Sequence, residues 1–534
     1  MQIPFVGPTY NGRSNSIDAS RSINFYVEMD QNNSNPIAMI STPGTNLWKR
    51  IGSDPIRALY KFGDYLYAVS GSSFYKIDSN GDSSLIGNLN TNKGVVKIED
   101  NGIAAKGVGG NQLIIIDGTY GYIYDYLSNT IEVHPSSNFP SPVKTVSYID
   151  GYFIVSSGNM GITTSELYDG TTFNGLAIAA AIATPDAIQS IINIHQQLFI
   201  IKEYSTEVWY NTGAATQDGS PFARVGGAVM DYGTSSPYSV ARGNNSVFFL
   251  ATQRLGSGSG AFVGVVELNG YTPQLISPQS ITYKISKMDI ESAEAYCYSD
   301  EGHTFYVLTF PNNNVTLCYD TITKMWHERS TYTKKEYVRF ATDGTPEVLS
   351  TLPFSVNRHL SSSYVNYNGK HLVGDYRTGN IYELSSNYYS DNGEPIISTR
   401  TSQILFDNSD KSDIFVSKLQ VDGEVGVGDQ SVYGDISAIG YIADGTLIAD
   451  GTYYAGAEVL RDSEGSNPEA FLSWSNDSGN TWSNEYVASM GRTGEYDTRM
   501  IWRRIGLAKN RVFRLRISAP VKKVITGAYV EASK

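Results

Sequence analysis

The stretch that most constrains this chain is VKTVSYIDGYFIVS, residues 143–156, two runs of β-branched and aromatic residues separated by the pair Asp150-Gly151. Both residues of that pair tolerate positive φ, so the stretch predicts a tight hairpin whose turn twists in step with its strands. The same pattern returns in ALYKFGDYLYAVSGSSFYKID (58–78), NQLIIIDGTYGYIYDY (111–126) and IHQQLFIIKEYSTEVWYNTG (194–213). It returns again in NSVFFLATQ (245–253), HTFYVLTF (303–310) and HLVGDYRTGNIYELS (371–385). Copies of a hairpin unit roughly 35–55 residues apart have the spacing of four-stranded propeller blades. The chain therefore predicts a β-propeller core of six or seven blade-like units.

A chain of 534 residues exceeds what one compact core holds, so two or three domains are expected. With 51 Gly, 38 Tyr, only 17% charged residues and more than a dozen Asn-Gly or Asp-Gly pairs, the whole reads as all-β. Residues 1–52 carry isolated strand signals, SINFYVEMD and PIAMIST, and are expected to pack on the propeller or close it. Residues 53–390 are expected to form the blades, with GLAIAAAIATPDAIQS (175–190) either a short helix, favoured by alanine and limited by Pro185, or an irregular connection. From 391 to 534 a second all-β unit is expected, a C-terminal β-sandwich with an inserted β-rich arm at 425–469. In its stretch VFRLRISAPVKKVITGAYVEA, Phe513, Leu515 and Ile517 point one way and Arg514 and Arg516 the other.

The net charge of −13 argues against a general nucleic-acid binder, which needs a cationic face to displace counterions. It permits nucleic acid to slide past a wall that repels phosphate. Cys297 and Cys318 make no disulfide framework and are expected to be buried free thiols, although a single bridge between adjacent strands is compatible with the count. The N-terminus MQIPFVGPTYNGRS shows no signal-peptide pattern, and no run reaches the ~18 apolar residues of a membrane span. Synthesis in a cytoplasm without membrane integration is the expectation.

Catalytic signatures are sparse. Ser475-Asn476-Asp477-Ser478-Gly479-Asn480-Thr481-Trp482 matches the Asp-box pattern S-x-D-x-G-x-T-W, in which Asp477 bonds turn amides, Gly479 permits the bend and Trp482 packs beneath. That is a folding device. Asp186 with Glu203 or Glu207 could pair for glycoside hydrolysis, but 53 acidic residues supply many such pairs by chance. The six histidines, His134, His195, His303, His327, His359 and His371, lack metal-ligand spacing. No phosphate-binding loop, dinucleotide fingerprint or nucleophile elbow is present, so no catalytic residue, cofactor or metal is expected. One charge feature stands out in this acidic chain: Arg492, Arg499, Arg503, Arg504, Lys509, Arg511, Arg514 and Arg516 fall within 25 residues. They read either as solvated or internally paired strand residues, or as a docking face for an acidic neighbouring subunit.

Taken in order, YIDGYFIVS, SELYDGTTFNG, Pro185-Asp186, QLFIIKEYSTEVWYNTG, PFARVGG, NGYTPQLIS, EGHTFYVLTFP, CYDTITKMWHER and LVGDYRTGNIYEL resemble the packaged-DNA stabilisation family of short-tailed bacteriophages, the tail hub or nozzle proteins. SWSNDSGNTWS and MGRTGEYDTRMIWRRIGLAKNRVFRLRIS extend the resemblance, which covers roughly two thirds of the chain. It implies a structural virion-tail protein assembled in the host cytoplasm. Such a protein forms a ring, typically a hexamer, beneath the portal and its head-to-tail adaptor, and touches a tail fibre, tailspike or needle. Double-stranded DNA passes through its channel unread. The competing reading is a carbohydrate-binding or glycoside-processing propeller of a phage tail, suggested by the Asp box and the abundant Tyr and Trp.

Overall fold

The computed structural model describes the chain except residues 11, 30–36, 255–260, 334–335, 341–345, 352–354, 407–411, 426–467, 492–494, 496–497 and 534. It divides into two compact units: residues 47–314 with 360–383, and residues 1–46, 315–359 and 384–534. The sequence-stretch 425–469, expected to be an inserted arm, lies almost wholly outside the described residues.

The first unit is the propeller. Its founding hairpin is Thr145–Ile149 against Tyr152–Ser156, in register Ile149↔Tyr152, with Asp150 at φ 51 and Gly151 at φ 92, the double left-handed turn that the Asp-Gly pair predicts. Complete four-stranded meanders begin with the innermost strands Ile56–Phe62, Lys97–Asp100, Thr145–Ile149, Ile188–Ile194 and Ala241–Gly243. A sixth innermost strand, Glu294–Asp300, pairs with His303–Phe310. A seventh, Ser361–Tyr367, leads the sheet through Lys370–Asp375 and Asn380–Ser385 to the N-terminal strand Gly44–Arg50.

Each innermost strand is tied to the next. Tyr60 Oη donates to Asp100 Oδ2 (2.6 Å) and Tyr148 Oη to Asn101 O (3.4 Å). The Ile191 amide donates to Thr145 Oγ1 (2.9 Å) and Arg242 Nη1 to Asn193 Oδ1 (3.2 Å). Gly243 abuts Cys297, where a Cβ would lie 2.8 Å from the Cys297 Cβ. The Tyr296 and Ser361 hydroxyls are hydrogen-bonded to one another (2.7 Å), and Ser362 Oγ donates to Ile56 O (2.7 Å), which returns the ring to its first blade. Between these strands lie apolar wedges. The one that closes the ring packs Ile51, Ile56, Leu59, Leu66, Ala68 and Ile77 with Tyr367, Leu372 and Ile381.

The second unit is the sandwich. One sheet runs Phe25–Met29, Ile37–Ser41, Val524–Ser533, Ile414–Glu424, Thr498–Ala508, with Gln2–Ile3 also on Val524–Ser533. The other contains Arg21–Ile23, Ser398–Thr401, Val512–Ile517, Glu469–Ser475 and Tyr486–Ser489. Between them lie Phe5, Phe25, Met39, Val416, Leu419, Leu472, Trp502, Phe513, Leu515 and Ile517. Phe513, Leu515 and Ile517 point inward and Arg514 and Arg516 are half-exposed, the alternation expected for that strand. The linear reading set 1–52 beside the propeller; here residues 1–46 supply strands to the sandwich, and only the strand Gly44–Arg50 crosses into the last blade's sheet.

The Ala-rich stretch 175–190 is neither helix nor irregular connection at its start. It continues the strand Asp169–Ala180, which pairs with Gly161–Glu166. Alanine's helical preference is a few tenths of a kcal/mol per residue, and a row of ladder hydrogen bonds plus burial of Phe173, Ala177 and Ala181 outweighs it. Neither cysteine is in a disulfide; Cys318 is buried and Cys297 half-buried.

Ring closure makes a testable demand. Ile381 is fully buried in the closing wedge, so Ile381→Ala should lower stability by about 2–5 kcal/mol, read as a fall in the urea midpoint of the propeller. Leu85→Ala on an exposed outer strand should change it by less than about 0.5 kcal/mol. Equal effects would show that the last blade is not held by this packing.

Candidate functional site

The sequence offered three clusters: the arginines near the C-terminus, the Asp box and the carboxylates around Asp186. The structure does not bring the arginines together on one face. Arg492 lies outside the described residues. Arg499 and Arg503 are exposed on the strand Thr498–Ala508 of one sheet, where Arg503 pairs in register with Lys418, itself 2.5 Å from Glu531. Arg504 is exposed with φ 61, and Lys509 is exposed. Arg511 is buried and donates to Ile505 O (3.1 Å) and Gly506 O (3.2 Å). On the other sheet, Arg514 lies 4.0 Å over the Trp482 ring and donates to Ser473 Oγ (3.2 Å). Arg516 forks onto Glu485 at 2.8 and 2.5 Å and lies 4.4 Å over Phe471. Arg511, Arg514 and Arg516 are thus engaged within the sandwich, and Arg499, Arg503 and Arg504 are the exposed members.

The Asp box follows the strand Glu469–Ser475. Asp477 accepts from the amides of Asn480 (3.0 Å) and Thr481 (2.8 Å) and from Thr481 Oγ1 (2.7 Å) and Ser475 Oγ (2.6 Å). Gly479 takes φ 94 directly above Trp482, whose Cζ2 is 3.5 Å from where a Cβ would stand. The hydrogen bond from Ser475, followed by those from Thr481, holds the Asp477 carboxyl down at about 2. The carboxylate is spent on the turn.

Asp186 and Glu207 meet on one cation. Lys202 is fully buried and its Nζ donates to Glu207 Oε1 (2.9 Å) and to the carbonyls of Ala181 (3.0 Å) and Thr184 (2.6 Å), with Asp186 Oδ1 at 3.1 Å. Trp209 Nε1 donates to the second oxygen of Glu207 (3.1 Å). Burial would raise the Asp186 carboxyl, but bonds from Thr184, the Tyr204 amide and Lys202 outweigh it and hold the group below the usual carboxylate range. A glycosidase general acid needs the opposite shift. A cleft of about 240 Å³ opens above, lined by Pro185, Tyr204, Asp231, Gln253 and Arg254, with Arg254 4.8 Å over the Tyr204 ring.

A polar group that sequence reasoning missed links innermost strands of the propeller. Lys97 reaches from the second blade to Ser190 Oγ and Pro237 O, both at 3.2 Å, so it spans to the fourth blade and to the turn before the fifth. Enclosure pushes its ammonium down to about 8, against the pull of Glu99, and pushes the Glu99 carboxyl up to about 7, with Asp100 adding to that and Lys97 and Arg242 opposing it. The alternation Lys97, Glu99 on an innermost strand was the available signal. Elsewhere His134 stacks 4.0 Å from Phe139 and its Nε2 donates to Gly170 O (2.7 Å), a packing role. Among the described residues no group of three His, Cys, Asp or Glu could hold a metal ion, and no helix is long and apolar enough to cross a membrane.

Comparison with known proteins gives two matches to family models, both in the expected order. The model described as Bacteriophage P22 Gp10, beta-propeller, matches residues 1–389, and the model described as Bacteriophage P22 Gp10, beta-sandwich, matches residues 452–533. No curated protein matches. Among solved structures, the extracellular domain of the two-component system BT4673 from B. thetaiotaomicron shares 12% identity at TM-score 0.37, over 64% of this chain and 39% of that one. This chain therefore spans about two fifths of that relative's length. The WD40 domain of Neurospora crassa Pan2 shares 9% identity at TM-score 0.36 (64% and 96% covered), and the computationally designed Ika8 protein 11% at 0.34 (63% and 98%). Likenesses this distant add nothing to the fold.

Two outcomes test these assignments. Glu207→Ala removes one of the two carboxylates that hold the buried Lys202 charge and takes the acceptor from the Trp209 indole N–H, and should destabilise the propeller by about 3–5 kcal/mol in urea titrations; a loss under about 1 kcal/mol would mean the cluster is solvated. Asp477 has its carboxyl lowered on folding, so its contribution is complete above the unfolded value and disappears as pH falls through about 2. The stability gap between the wild type and Asp477→Ala should therefore be constant near neutral pH and narrow from about pH 4 to about pH 2. A gap that holds at pH 2 would contradict the assignment.

Proposed function

The chain belongs to the bacteriophage P22 Gp10 family, phage structural proteins that stabilise packaged DNA, and from that premise we propose that it builds the tail hub or nozzle of its virion. In this reading copies form a ring, a hexamer, below the portal and its adaptor. The ring extends the DNA exit channel and retains the packaged genome until ejection, and assembly takes place in the host cytoplasm. A tail fibre, tailspike or needle docks on it. The observation that carries the proposal is the ordered pair of family matches, one over the blades and one over the sandwich.

The physical properties suit the role. A net charge of −13 disfavours sticking to a phosphate backbone that has to move past quickly. A ring of blades stitched strand to strand is stiff, as a channel wall under internal genome pressure needs to be. The exposed Arg499, Arg503 and Arg504 are offered as the part of the arginine cluster that docks an acidic neighbour, where guanidinium forks pair with carboxylates. No reaction is assigned to the chain. Its single Asp box is committed to its own turn, so no specific observation favours the carbohydrate reading.

The test is genome retention. DNA-filled heads carrying portal and adaptor but not this protein should lose their DNA to added nuclease, and adding back the purified protein should restore protection. Heads that keep their DNA equally well without it would remove the proposed role.

A further inference from the structure

Lys202 ends the second strand of the fourth blade, Gln197–Lys202, and Asp186 stands just before the first, Ile188–Ile194; Ile188 and Lys202 face each other in register. The two side chains therefore meet at the base of one hairpin, where Nζ is 3.1 Å from Asp186 Oδ1 and 2.9 Å from Glu207 Oε1. The side chains of Lys202 and Glu207 are fully buried and that of Asp186 is 6% exposed. Among the described residues this lysine stands apart. Lys49, Lys106, Lys370, Lys418 and Lys522 each meet one carboxylate and are partly exposed, whereas Lys202 meets two in a site closed to water.

The bonds around Asp186 are those a carboxyl needs to be attacked by an amine. Oδ2 accepts from the Tyr204 amide (2.9 Å) and from Ser205 Oγ (3.1 Å), so negative charge developing there in a tetrahedral intermediate meets donors already in place. Oδ1, the oxygen beside Nζ, accepts from the Thr184 hydroxyl. Glu207 is fixed on the other side of the amine. Its Oε1 accepts from the Ala183 amide (3.0 Å) as well as from Nζ, and its Oε2 from the Trp209 indole N–H (3.1 Å). Burial withholds the hydration that keeps an ammonium and a carboxylate apart as ions in water, and groups held in contact react as an intramolecular pair of very high effective concentration. The cleft that Thr184, Pro185, Asp186 and Tyr204 line gives a released water a way out.

We propose that Lys202 and Asp186 condense into an intramolecular isopeptide bond, with Glu207 as the proton relay. Nζ passes a proton to Glu207 Oε1, and the neutral amine attacks Asp186 Cγ, forming the N–C bond as the carbonyl electron pair moves onto Oδ2. Collapse of that intermediate breaks the Cγ–Oδ1 bond. Oδ1 leaves as water with the two protons that Nζ gives up, both carried by Glu207, which ends ionised as it began. One ammonium and one carboxylate thus become one amide and one water, and no oxidant, reductant or nucleotide is consumed. The event happens once per chain and turns over no substrate. It closes the base of the fourth blade's first hairpin covalently, and it stands whether or not the chain forms a ring.

The test is peptide mapping of the full-length protein by mass spectrometry after denaturation in urea. Chymotrypsin cuts after Leu198 and Phe199, between the two residues, so the bond keeps together two peptides that are otherwise released separately. The branched product is lighter than their sum by one water. The expected result is that product in most wild-type chains and its depletion by at least about tenfold in Glu207→Gln, which keeps the shape of the relay but not its acid, with circular dichroism reporting the fold. Lys202→Arg, which offers no primary amine, should lack it. Wild-type protein whose two peptides separate, even after storage at neutral and alkaline pH, overturns the proposal and leaves Lys202 an ion-paired residue. A branch through Glu207 overturns the choice of Asp186, and a folded Glu207→Gln chain with the bond at the wild-type level overturns the relay. The wild-type map decides the bond even where a variant does not fold.

Discussion

Everything in the propeller depends on one constraint: a four-stranded blade buries its two faces only against the blades on either side, so the array is stable only when its last member meets its first. Sequence distance makes that meeting expensive. The hydrogen bond from Ser362 to Ile56 joins residues 306 apart, and Tyr367 Oη donates to Asp64 O (2.8 Å) across 303. The entropy of closing so long a loop is recovered only when the closing wedge, with Ile56, Leu66 and Ala68 on one side and Leu372 and Ile381 on the other, excludes water. The strand Gly44–Arg50 enters the same sheet from the opposite end of the chain, so the seventh blade draws on both ends of the propeller sequence. Long-range pairing of this kind folds slowly and holds firmly once made.

The same constraint bears on the charged groups of the interior. Lys202 is held by two carboxylates and two carbonyls. Lys97 bonds to the fourth blade and to the turn before the fifth, where a mobile side chain would leave the innermost strands less firmly tied. Arg511, Arg514 and Arg516 lie over aromatic rings or fork onto a carboxylate within their own sheet. In each case the ionic group serves cohesion, at a desolvation cost that a good partner set offsets.

Much of this was legible in the sequence, because its signals are local. Asp150-Gly151 fixes its hairpin by backbone chirality alone, and the alternation of Phe513, Leu515 and Ile517 fixes which face of their strand is buried. Turns that use His195-Gln196 or Asn244-Asn245 at positive φ were harder to read, since those pairs are compatible with many other conformations. The second blade hides its inner hairpin behind the long excursion between Asp100 and Gln112. The sandwich role of residues 1–46 was not legible at all. Strands as short as Gln2–Ile3 exist because Tyr529 and Ala528 are there to pair with them, more than 500 residues away. The arginine cluster divides between the two sheets for the same reason, since closeness in sequence says nothing about which of them a side chain joins.

The account's central claim is that this polypeptide is a wall and a joint of a phage tail. The most direct measurement is a cryo-electron microscopy reconstruction of the virion's portal vertex with this chain fitted into it. The account predicts several copies related by rotation about the portal axis, each a closed seven-bladed propeller with its sandwich, around an open channel continuous with that of the portal. Copies found away from that axis, or density that closes the path of the DNA without any ring, would contradict it.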